Sequence, residues 1–171
     1  RLFSAPKVAL LQRGARVVFR QRLLRGRNDP GLAVAQPLQV LGQTIEVEDL
    51  TKHRMYSEYF EITKDSADVI NKALKSKKNV YAVGCSVVRA LESSVLTSGI
   101  VKPNKGWTDK FIHPPYEFKI ANRFITNFHQ PASPSLLVAT AYAGGKDSMF
   151  KAYKRAMKTD YRLFAYGDAL M

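Results

Sequence analysis

Hydrophobic and polar positions divide this chain into stretches of different period. Near the front, Val8-Ala9-Leu10-Leu11 and Val17-Val18-Phe19 flank a break at Gly14, which predicts two short strands of a hairpin. Asn28-Asp29-Pro30-Gly31 is a strong turn signal and the best boundary in the chain. Leu38 to Val47 alternates loosely and reads as a strand. From Lys64 the period lengthens. Ala67, Ile70, Asn71 and Leu74 fall at helical spacing, with Thr63 or Asp65 as N-cap. Asn79 to Gly84 is a compact apolar strand closed by glycine, and Val87, Val88, Leu91 and Val95 restore the helical period until near Gly99. Residues 124–127 and 135–143 are further apolar segments. Asp147 to Lys158 reads as an amphipathic helix, and Tyr161 to Tyr166 as an aromatic strand or turn. The order helix, strand, glycine, helix predicts an α/β fold with buried parallel strands.

Composition bounds the class. The chain has 171 residues, 46% hydrophobic and 24% charged, enough for one domain or a piece of a larger one with a real core, and unlike a disordered sequence. No stretch approaches the roughly 20 apolar residues of a membrane-spanning helix, so no membrane partner is expected. One cysteine, Cys85, leaves no internal disulfide or Cys-rich zinc site and suggests a reducing, cytoplasmic setting. His53, His113 and His129 are far apart and form no close-spaced ligand pair, so no metal is expected. The net charge of +13 is uneven. Arg1, Lys7, Arg13, Arg16, Arg20, Arg22, Arg25 and Arg27 stand in the first 28 residues without one acid. Such a block attracts polyanions, nucleic acid first; a solvated arm or an Arg-rich transit segment are the plainer readings.

Four segments carry candidate chemistry. At Val83-Gly84-Cys85-Ser86 a strand turns into a helix, where a glycine admits a ligand and unpaired N–H groups face it. Ser86 adds a hydroxyl. Arg89 suits a carboxylate, phosphate or ribose, although Glu92 three residues on makes an intrahelical ion pair the simpler expectation. His53 and Glu58 suit acid–base work if both line a pocket; otherwise they are surface groups. Phe124 to Pro131 ends an apolar strand in Thr126, Asn127 and His129, where α/β folds place ligands. Asp168 follows Gly167 in what is either a site or a plain turn. The stretch from Trp107 to Phe118 has the makings of a base-stacking platform, though such stretches are more often core and loop.

In order, the segments HRMYSEYFEI (53–62), VYAVGCSVVRALESS (80–94), GWTDKFIHPPYEFK (106–119), FITNFHQP (124–131), AYAGG (141–145) and YRLFAYGDALM (161–171) resemble the C-terminal half of the S-adenosylmethionine:tRNA ribosyltransferase-isomerase family of the queuosine pathway. The resemblance implies a large mixed α/β domain carrying a smaller β-barrel domain in full-length members. This chain would keep mainly the α/β part, over 38–171, behind a basic segment, 1–37, that echoes barrel strands. It also implies a reaction. The ribosyl part of S-adenosylmethionine, a consumed co-substrate, passes to 7-aminomethyl-7-deazaguanine at the wobble position of a tRNA anticodon stem-loop and rearranges to epoxyqueuosine. His53, Glu58 or His129 would move protons. Gly84, Ser86 and Arg89 would hold ribose or the methionine carboxylate, Thr126 and Asn127 would orient a base or sugar, and Asp168 would assist binding. A monomer is expected; the alternative is an incomplete or non-catalytic RNA-binding relative. The sequence departs from the family at Cys85, where a threonine is expected, at Gln130 in place of leucine or methionine, and at Pro134-Ser135, where Pro134 is expected to shift the turn.

Overall fold

The computed structural model describes residues 17–20 (backbone only), 43–164 and 167–171. The first expected strand, the Asn28–Gly31 turn, most of the basic segment and Tyr166 lie outside the described residues. Three strands, β1 (Val17–Arg20), β2 (Glu58–Ile62) and β4 (Asn104–Thr108), form an antiparallel sheet with β2 in the middle. A second sheet has β5 (Arg123–Asn127) in the middle, parallel to β3 (Tyr81–Val83) and antiparallel to β6 (Ala169–Leu170). Helices α1 (Lys64–Lys75), α2 (Cys85–Ser94), α3 (Pro134–Tyr142) and α4 (Lys146–Met157) complete it. The mixed α/β fold expected from the sequence is therefore present, and its parallel pair is β3 and β5.

Local chemistry explains the boundaries. The Thr63 hydroxyl accepts the Ser66 N–H and starts α1, and Ser133 does the same for α3 through Leu136. Pro134 falls at the first turn of α3, where no N–H is needed and a fixed φ suits the helix. The N–H that this departure removes is therefore one the helix does not use. Gly84 is the N-cap of α2 at φ +93°, a conformation that a Cβ would strain.

One expectation is corrected over its described part. Residues 43–47 are irregular and held by hydrogen bonds: Gln43 donates to the Arg54 carbonyl at 2.8 Å, and the Ile45 N–H bonds the Ala132 carbonyl at 2.8 Å. Of the strand or turn expected from Tyr161, the described residues show the turn, where the Asp168 N–H reaches the Arg162 carbonyl at 2.8 Å, and the final strand is β6. β4, spelled Asn-Lys-Gly-Trp-Thr, opens with three residues that strands disfavour and is held by its pairing with β2. The core gathers Phe60 and Ile62 from β2, Ile70 from α1, Ala82, Val88 and Leu91 around α2, then Ile112, Ile120 and Phe124. β3 forms an edge of its sheet, and its Tyr81 and Val83 are 45% and 44% exposed.

Candidate active site

A cavity of about 260 Å³ opens where the carboxyl ends of β3 and β5 meet the first turn of α2. Gly84, Cys85, Ser86 and Arg89 line it from α2, Thr126, Asn127 and His129 from the end of β5, and Glu58, Lys110 and Phe111 from the opposite wall.

One wall is ionic. Arg89 Nη1 lies 2.7 Å from Glu58 Oε2, Nε donates to the Lys110 carbonyl at 3.0 Å, and Nη2 reaches the carbonyls of Thr108 at 3.3 Å and Tyr56 at 3.5 Å. The guanidinium is nearly fully buried and its donors are engaged by the protein itself. Glu92 turns the other way. Its carboxylate accepts the N–H groups of Lys119 and Ile120 at 3.0–3.2 Å and the Tyr116 hydroxyl at 3.3 Å. Arg89 and Glu92 therefore do not form the expected intrahelical pair. Both are buried, and each is satisfied from outside α2. Burial, with the Glu92 charge, pushes the Tyr116 phenol up to about 12.

The opposite wall is neutral. His129 Nε2 sits 2.8 Å from Thr126 Oγ1 and 3.3 Å from Cys85 Sγ. Burial lowers the His129 imidazole to about 4 and raises the Cys85 thiol to about 11, so both are uncharged near neutrality. The backbone of His129 is clamped by Tyr153 of α4, whose hydroxyl accepts its N–H at 2.6 Å and donates to its carbonyl at 3.0 Å. The backbone of this histidine is therefore fixed in place, and its ring is held in the neutral form that a general base requires.

The cavity thus brings together Glu58, Gly84, Ser86, Arg89, Thr126, Asn127 and His129. His53 stands behind its wall, 4.8 Å from the Phe111 ring. Asp168 closes a turn, accepting the Arg162 N–H at 2.7 Å, and the adjoining Gly167 carbonyl receives Asn127 Nδ2 at 3.4 Å. Sequence reasoning did not single out Tyr153, Lys110 or Phe111, because nothing in the pattern of α4 or of residues 109–112 marks one position as facing a site. Among the described residues no group of three or more His, Cys, Asp or Glu is arranged to hold a metal, and no helix is long and apolar enough to cross a membrane.

The model of a family described as "Queuosine biosynthesis protein" matches residues 33–171, reaching well forward of the segments that carried the resemblance. The chain is 46% identical to the S-adenosylmethionine:tRNA ribosyltransferase-isomerase of Cytophaga hutchinsonii, across 99% of this chain and 50% of that protein. To the protein of the same name from Chloroherpeton thalassium it is 43% identical, across 90% of this chain and 45% of the relative. The crystal structure of S-adenosylmethionine tRNA ribosyltransferase from Thermotoga maritima superposes with a TM-score of 0.59 at 36% identity, covering 66% of this chain and 39% of that one. The chain spans half or less of the length of these relatives.

Proposed function

Because this chain belongs to the queuosine biosynthesis protein family, we propose that it forms the substrate-binding and catalytic core of an S-adenosylmethionine:tRNA ribosyltransferase-isomerase. In this reading the protein transfers and isomerises the ribosyl part of S-adenosylmethionine onto 7-aminomethyl-7-deazaguanine at the tRNA wobble position, forming epoxyqueuosine. Its setting is the cytoplasm. The observation that carries the reading is the cavity itself, where the polar residues of two separate segments, 84–89 and 126–129, meet at the carboxyl ends of parallel strands.

The reaction needs protons removed from the sulfonium-activated ribose carbon and from the attacking amine, and one supplied to departing adenine. His129 is uncharged and held by Tyr153, so it is in the protonation state of a base. Glu58, fixed by Arg89, adds a carboxylate on the facing wall. With its own donors engaged, Arg89 serves by positioning Glu58 and the 108–110 backbone. The anionic end of the co-substrate falls to Ser86 and the free N–H groups of the α2 start. Thr126 and Asn127 orient a base or sugar, Asp168 supports Asn127 through its turn, and His53 braces Phe111.

The test mixes the purified protein with S-adenosylmethionine and an anticodon stem-loop carrying the aminomethyl-deazaguanine, and follows adenine release. Adenine that appears only with both substrates, and is lost in His129→Gln, is the expected result. Stem-loop binding without adenine would overturn the catalytic reading in favour of an RNA-binding relative.

A further inference from the structure

The antiparallel sheet carries a second surface that the cavity does not use. Phe60 and Ile62 of β2 turn into the core, at 3% and 2% exposure, so Tyr59 and Glu61 belong to the other face. Across that face the register sets Tyr59 of β2 opposite Trp107 of β4, and Glu61 opposite Lys105 in the next row. Tyr59 meets Trp107 in a T-shaped contact, with centroids 5.7 Å apart and planes at 70°, which braces the indole without covering it. Trp107 is 59% exposed, whereas Ile112, five residues further along the same stretch, is 1% exposed. Holding so large an aromatic surface in water forgoes a substantial burial gain, and a bare ring two residues from Lys105 on the same face of β4 suits a planar, anionic partner.

The same strands carry residues of the candidate site on their core side, opposite this face. Tyr59 follows Glu58, a cavity residue, and β4 runs on from Trp107 through Thr108, whose carbonyl holds Arg89, to Lys110 and Phe111 of the cavity wall.

We propose that this face docks the single-stranded loop of the RNA substrate, with one unstacked base lying on the Trp107 indole, Tyr59 bracing it, and Lys105 taking a flanking phosphate. The choice of occupant follows from charge: the chain carries +13 overall, and Glu61, the acid in these two rows, stands opposite Lys105. The proposal rests on the RNA-modifying reading above, and base stacking on an aromatic platform is how single-stranded loops are commonly held.

Trp107 is the only tryptophan, so its fluorescence reports this face alone. An anticodon stem-loop RNA should quench it saturably, and a fully paired RNA duplex should not. Trp107→Ala should weaken stem-loop binding, measured by anisotropy of a labelled RNA, by roughly 5- to 100-fold, and Trp107→Phe should retain most of it. Circular dichroism checks that both variants fold. Stem-loop binding that leaves the emission unchanged, no stem-loop binding, an indole already shielded in the free protein, or full affinity in Trp107→Ala would each overturn the proposal. Failure of the two readings is separable. Quenching without adenine release removes the catalytic reading and keeps the docking face. Adenine release with unchanged kcat/KM in Trp107→Ala does the reverse.

Discussion

The two polar walls of the cavity flank the same helix, yet burial acts on them in opposite ways. On one side Glu58 and three backbone carbonyls surround Arg89. A turn further on, Glu92 is met by two N–H groups and a hydroxyl. On the other side Cys85, Thr126 and His129 meet one another and the Ser135 carbonyl, and desolvation outweighs these contacts, favouring the neutral forms of the thiol and the imidazole. Burial is thus offset on one side by an ion pair and by several hydrogen bonds to Arg89 and Glu92, and on the other desolvation dominates. The result is a cavity that joins an ion-paired cluster to a neutral one whose histidine is held in its unprotonated form.

Removing one partner of the ionic wall is the hardest test of that contrast. Arg89→Met strands Glu58 and three carbonyls and should cost about 3–5 kcal/mol, read from urea unfolding. The double variant with Glu58→Gln should recover part of the loss. A single-variant cost near zero would mean that the pair contributes nothing.

The neutral wall is probed by acid. With a folded-state value of about 4 against an ordinary 6.5, His129 binds fewer protons in the native protein than in the unfolded chain between those values. Stability should therefore rise with pH across that window, be complete above about 6.5 and be lost as pH falls towards 4. The contribution is roughly 3 kcal/mol. His129→Asn should flatten the profile of urea midpoints in this range, and an unchanged slope would assign it to other groups. The smallest effect is kinetic. Raised from 9.0 to about 11, the Cys85 thiol should react with iodoacetamide near pH 8 roughly 100-fold more slowly than a free cysteine, and faster as pH climbs. A rate already level at neutrality would reveal a thiolate–imidazolium pair and erase the difference between the walls.

Much of this was legible in the sequence wherever local chemistry decides. The Thr63 cap, the α1 and α4 periods and the strand–glycine–helix turn at Gly84 are written in residues within a few positions of one another. The meeting of residues 84–89 with 126–129 followed from where parallel strands end. Partnerships of side chains were not legible. Arg89 and Glu92 look like an i, i+3 pair, and only the packing of β2 against α2 and the return of residues 116–120 send them to Glu58 and to the backbone. Likewise, Asn-Lys-Gly-Trp-Thr becomes β4 because β2 offers a complementary edge, a long-range fact without a local trace.

The β3 edge bears on how the protein behaves in concentrated solution. Among the described residues β3 is paired on one side only, and a bare strand edge with two exposed apolar side chains is a template for a second molecule. Here the template is short. It is three residues long, follows Lys77 and Lys78, and ends at once in the turn to α2. Few backbone groups are offered to an incoming strand, and like charges oppose its approach, so colloidal stability near this edge should depend on salt more than on temperature.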